Sequence, residues 1–209
     1  MFRFKPVCRS SIVLSAALLL GGCFASDRPL IDPAGADTPI ADGSKFVESL
    51  NCDSDVGKLI GCTGYRHVGS ATLMLHDRVY NVHPDPNDSP LVNTQLKAGQ
   101  TKQNSFVMKK IGGDLYVIQI PVGDAGPPEA KYLYELIRLT GDTGYFYTLM
   151  CEENGDTAYV HSGALTRISP VMLVPTCQPA SFEGLSKVMA DRIANGAIPD
   201  EKLDIQPPG

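Results

Sequence analysis

The chain has no tryptophan and only four histidines. Spacing motifs that carry chemistry are missing too. There is no Gly-x-Ser-x-Gly for a serine-hydrolase elbow, no His-Glu-x-x-His for a zinc peptidase, and no glycine-rich phosphate loop. No cysteines stand as a Cys-x-x-Cys pair, which argues against a four-cysteine zinc site. The apolar run Ile12–Leu20 falls far short of the roughly 20 residues needed for a membrane-spanning helix. Basic residues are also scarce: 18 Lys and Arg face 23 Asp and Glu, a net charge of −5. That balance disfavours nucleic acid and anionic lipid headgroups, both of which call for basic patches.

The N-terminus has the three parts of an export signal: Arg3, Lys5 and Arg9, then the apolar stretch Ile12–Leu20, then Gly21 and Gly22. The sequence Leu20-Gly21-Gly22-Cys23 resembles the lipobox of bacterial lipoproteins, with leucine at −3, small residues at −2 and −1, and cysteine at +1. The resemblance covers the first 23 residues. It implies removal of residues 1–22 as a lipoprotein signal peptide, a diacylglyceryl thioether on Cys23, and acylation of its new amine with a palmitate-like chain. Several acyl chains make a firm anchor, at roughly 0.8 kcal/mol per buried methylene. Phe24 follows where an aspartate would favour inner-membrane retention, so the resemblance points to an outer-membrane protein facing the periplasm. The leader takes three basic and no acidic residues with it, which moves the net charge from −5 to −8.

Of the six cysteines, Cys8 leaves with the leader and Cys23 is the lipid anchor. Cys52, Cys62, Cys151 and Cys177 remain, an even number that reads as two disulfides in an oxidising compartment. Three pairings are open, and nearness in the chain favours Cys52–Cys62 and Cys151–Cys177. Residues 23–43 are rich in Pro, Asp, Ala and Gly and lack apolar periodicity, so they are expected to be a flexible tether. A single domain is expected over 44–196, and the Pro-rich residues 197–209 are expected to be a loose tail.

Within the domain the pattern is β. Short runs flank His76-Asp77, Gly112-Gly113 and Thr140–Gly144, each a candidate hairpin turn. Leu115, Val117 and Gln119 alternate with Tyr116, Ile118 and Ile120, as strand geometry demands. Ala158–Val160 reads as a short strand. Near the end, Ser181 caps a helix whose Phe182, Leu185, Val188, Met189, Arg192 and Ile193 recur at helical steps. The expected fold is mainly β: an antiparallel β-meander or small partly closed barrel with one C-terminal amphipathic helix.

Candidate chemistry is thin. His67, His76 and His83 are the residues on which a hydrolase or a metal site would have to be built, and no ligand spacing joins them. No cofactor or metal is expected. Carboxylate pairs such as Glu152-Glu153 and Asp85/Asp88 lie in turns, and Glu135 reads as solvent-facing beside Arg138. Tyr116, Tyr132, Tyr134, Tyr145 and Tyr147 cluster in two neighbouring hairpins. They are either cross-strand packing or a candidate binding face for an envelope protein or polymer. A non-enzymatic binding or structural accessory role in the envelope is therefore expected; the alternatives are a periplasmic hydrolase and an inhibitor or chaperone-like module.

Overall fold

Short turns set the register of the whole sheet. The computed structural model describes residues 24–54, 57–58, 61–85, 87–88, 105–122, 130–149, 151, 156–171 and 174–209. The leader, Cys23 and the Glu152-Glu153 pair lie outside the described residues. The strands are β1 (Ala25–Ser26), β2 (Lys45–Asn51), β3 (Tyr65–His76), β4 (Val79–Pro84), β5 (Ser105–Gly112), β6 (Leu115–Pro121), β7 (Tyr132–Thr140) and β8 (Thr143–Tyr147). A short helix α1 (Thr157–His161), strands β9 (Leu165–Val171) and β10 (Val174–Pro179), helix α2 (Phe182–Ala194) and strand β11 (Glu201–Gln206) follow. The β3–β4 turn is Asp77-Arg78, both left-handed with φ of 48° and 63°. That geometry matches the right-handed twist of the flanking strands. Gly113 and Gly141 supply the same conformation in the β5–β6 and β7–β8 turns, with φ of 51° and 58°.

The strands β2 to β8 pair antiparallel in sequence order, and β11 then lies between β8 and β2. With β7 also paired to β8, eight strands form a closed ring. A ring of that size is just wide enough to be filled by side chains or to hold one small molecule. The expected mainly β architecture is thus present, in its barrel form. Residues 201–206, taken from the sequence as part of a loose tail, are the strand that completes the ring. Leu203 and Ile205 alternate there with Lys202 and Asp204, a six-residue period-two pattern in a charged, proline-flanked stretch.

Two cores result. Inside the ring, Leu73, Tyr80, Met108, Ile118, Ile137 and Leu203 pack together as a buried floor. Outside, Val107, Val117, Tyr134, Leu136 and Tyr147 form an apolar wall on β5–β8. That wall is covered by Leu185, Val188 and Met189 of α2 and by Phe24, Ile31 and Ala36 of the N-terminal segment. Burial of each such side chain contributes about 1.5–3 kcal/mol. Ser181 caps α2 as expected, its side chain accepting from the Gly184 N–H. Ala158–Val160 falls within α1 rather than a strand.

Residues 24–44 are not a free tether. They form an ordered strap across the barrel. Ala25 and Ser26 pair with Leu133 and Tyr132, and Phe24 bridges to Cys177. The Leu30 and Ile31 amides donate to Gln119 Oε1 at 2.7 and 2.8 Å. Further on, Asp37 N–H donates to the Met108 carbonyl at 2.8 Å, and Lys110 N–H donates to Asp37 Oδ2 at 2.7 Å. This fills a gap, because β4 and β5 pair only at Tyr80–Phe106 and Asn81–Ser105. The strap is invisible to periodicity because it is held at scattered points, by short backbone bridges and by barrel side chains such as Gln119, rather than along one continuous ladder.

Candidate functional site in the barrel lumen

Partners across an antiparallel pair share a face of the sheet. Glu48 of β2 sits opposite Leu203, and Glu135 of β7 sits opposite Ile118. Glu201 of β11 sits opposite Phe146 on one side and Leu50 on the other, two residues along its strand from Leu203. Since Leu203 and Ile118 belong to the lumenal floor, all three glutamates point into the barrel. They stand with Phe106, Ile120 and Phe146 toward the end of the ring from which the long connections leave, and all six side chains keep some exposed surface. The opposite end carries the tight hairpin turns and is plugged by Ile40 of the strap, which joins the lumenal core. The lumen therefore holds a packed apolar core toward the hairpin end and three carboxyls toward the other.

Electrostatics sharpen this. Burial pushes the Glu48 carboxyl well above the ordinary glutamate range, helped by the charge of Glu201, by the hydrogen bond between the two carboxyls and by the charge of Glu135. Burial likewise raises Glu201, and the Asp200 charge adds to it; the Glu48 hydrogen bond acts the other way, as expected if the Glu48 acid donates to the Glu201 carboxylate. Glu135 is raised to about 8, first by burial and then by the charges of Glu201 and Asp200. Asp200 is itself fixed, its Oδ2 accepting from Thr148 N–H at 2.8 Å. Among the described residues, every charge that acts on the three glutamates is another carboxylate. A carboxyl held neutral can donate a hydrogen bond inside an apolar lumen, which an ordinary glutamate at neutral pH cannot.

Glu48 and Glu201 escaped the sequence reading, and Glu135 was placed on the wrong side. Glu135 and Arg138 lie on opposite faces of β7, with Arg138 outside near Asp114 at 3.5 Å. The available clue was the period-two series Leu133, Glu135, Ile137, Leu139. It was masked because Tyr134 and Leu136, on the other face, are buried as well.

The five tyrosines do not form one exposed face. Tyr116 is lumenal, with Lys110 Nζ 5.7 Å from its ring centre. Tyr132, Tyr134, Tyr145 and Tyr147 line the outer face, where the strap and α2 cover Tyr134 and Tyr147 to 2% and 4% exposure. The Tyr134 hydroxyl lies 2.6 Å from Ser26 Oγ, and burial pushes its pKa up to about 12. The histidines are not brought together. His67 sits 2.8 Å from Asp88 and His76 3.2 Å from Asp77, all exposed, near opposite ends of β3. At strand spacing the two are about 30 Å apart.

Both disulfides have the expected pairing, Cys52–Cys62 and Cys151–Cys177, with Cα separations of 5.2 and 5.6 Å. Among the described residues, the one group of potential metal ligands close enough to share an ion is Cys151, Asp156 and Cys177. Its two sulfurs are already joined to each other, and Asp156 is buried against Arg192 Nη2 at 2.8 Å. That cluster is therefore structural: it fastens α1 to α2 beside the outer core. No protein-family model, curated protein or solved structure matches the chain.

Proposed function

We propose that this chain is a lipid-anchored protein of the bacterial cell envelope, held at the outer membrane through Cys23 and facing the periplasm, and that its barrel binds one small, largely apolar molecule with a hydrogen-bonding head. What supports the binding reading is the arrangement at this end of the lumen, read as a cup: Phe106, Ile120 and Phe146 as walls, Glu48, Glu135 and Glu201 as polar points, and the packed core beneath. Small-molecule sites share this composition, an apolar lining with a few placed polar groups. The lipobox supports the location, and two disulfides accord with an oxidising compartment.

Binding is tested with the neutral fluorophore N-phenyl-1-naphthylamine, whose emission rises in apolar surroundings. Saturable one-to-one binding is expected, and Ile120→Trp, which fills the cup, abolishes it while the far-ultraviolet circular dichroism is unchanged. Absence of a saturable site, or a site indifferent to Ile120→Trp, removes the lumen as the binding site. The anchor is tested separately: Cys23→Ser is expected to leave the protein unlabelled by palmitate and free of the membrane fraction, and unchanged fractionation refutes it.

A further inference from the structure

We infer that the barrel has an acid-stabilised closure: strand β11 stays zipped between β8 and β2 while the lumenal glutamates hold protons, and its start loosens when they lose them. The inference starts from where the carboxyls sit along the β2–β11 seam and does not depend on whether the lumen carries a ligand. Glu48 and Glu201 straddle the β2–β11 seam, and a hydrogen bond between two carboxyls requires a proton. Glu135 reaches the same region from β7, across β8. Asp200, at the entrance to β11, adds a fourth carboxylate.

Among the described residues, the groups facing this cluster from the surrounding strands offer no compensation. β8 presents Gly144 and Phe146, and β4 presents Tyr80 and Val82. β5 and β6 present Phe106, Met108, Ile118 and Ile120 there, with Lys110 and Tyr116 at the far, hairpin end. β3 presents Arg66 opposite Leu50, exposed at the rim, and it is not among the charges that act on the glutamates. Full ionisation therefore gathers like charge around the first residues of one six-residue strand.

The sign follows from linkage. The folded glutamates bind protons more tightly than the unfolded ones, so their contribution is fully present below the ordinary glutamate range. It declines as pH rises: the share of Glu201 is lost as pH passes about 7 and that of Glu135 as it passes about 8.

Hydrogen exchange of the purified protein at pH 5.5 and 8.5, with labelling times scaled for intrinsic exchange, tests the closure. At pH 8.5, segments 199–206 and 45–51 are expected to exchange at least fivefold faster than the scaled rate, while 115–121 in β6 does not. The thermal midpoint is expected to fall by about 10 °C between the same pH values. The double variant Glu48→Gln, Glu135→Gln keeps side-chain shape and should flatten both dependences. Unchanged protection of 199–206 in the natural protein overturns the inference, as does an equal pH dependence in the variant. If the variant does not fold, the carboxyl carbon resonance of Glu135 decides: a midpoint above pH 6.5 supports the closure, and one below that value overturns it.

Discussion

The Tyr80 hydroxyl holds both backbone groups of Ile40, accepting its N–H at 2.9 Å and donating to its carbonyl at 2.8 Å. Tyr80 is fully buried and its ring stacks on Phe106 at 5.1 Å, across the narrow β4–β5 seam. One side chain thus ties the lumenal floor, the seam and the strap together. Burial pushes its pKa up to about 12, so the donor stays protonated throughout the working range.

Tyr80→Phe keeps the ring and removes the hydroxyl. Two buried backbone groups then lose their partner, for an expected loss of about 2–4 kcal/mol. Urea unfolding should show a lower midpoint at unchanged slope. A loss below about 0.5 kcal/mol would mean that the Ile40 backbone finds water or another partner, and that the plug is loose already.

Gln119 does for the outer wall what Tyr80 does for the floor. Its side chain accepts from the Leu30 and Ile31 amides and donates to the Ile31 carbonyl at 3.0 Å, while it is itself buried. Gln119→Leu conserves volume but leaves the Ile31 N–H and carbonyl unpaired and the Leu30 N–H with only the Tyr134 hydroxyl at 3.2 Å, at a cost of about 2–4 kcal/mol. Hydrogen exchange should show lost protection at Leu30 and Ile31, with β6 and β7 protected as before. Uniform destabilisation of the whole barrel would show instead that the strap and the ring unfold as one unit.

Gly144 is lumenal and a side chain there would be crowded. A Cβ there would lie 3.1 Å from Ile137 Cδ1 and 3.4 Å from Leu139 Cδ2 and Leu203 Cβ. Gly144→Ala is expected to cost about 1–3 kcal/mol through overpacking. Adding Ile137→Val removes the nearest methyl and should recover part of the loss. A double-mutant cycle measures that coupling, and strict additivity would refute the packing account.

The hairpins were legible because their signals are local: alternating strands on either side of a short Gly- or Asp-containing turn, as at Gly112-Gly113. Ser181 and the helical recurrence of Leu185, Val188 and Met189 were legible for the same reason. The disulfide pairs followed from chain proximity. The strap was not legible, because Phe24, Ile31, Ala36 and Ile40 are apolar at intervals that match neither strand nor helix. Only a barrel already in place gives them partners. The lumenal glutamates were hidden by a different effect. On a wall buried on both faces, a charged residue between apolar neighbours looks like an outward position, as Glu135 did between Tyr134 and Leu136. Ring closure is what turns that face inward, and closure depends on β11, which the sequence presented as six residues of mixed charge near prolines.

The position of β11 also bears on the order of assembly. The hairpins of β3–β4, β5–β6 and β7–β8 can form from neighbouring residues, but Glu48 meets Leu203 only after most of the chain has been made. Until residues 201–206 arrive, the structure is an unfinished sheet whose β2 edge lacks a neighbour and whose β8 edge is half used. Such edges invite pairing with other chains. Contacts that distant in sequence also form slowly. The last strand therefore acts as a late clasp, and the time between synthesis of β8 and arrival of β11 is when the protein is most exposed to aggregation and to a chaperone that would shield its edges.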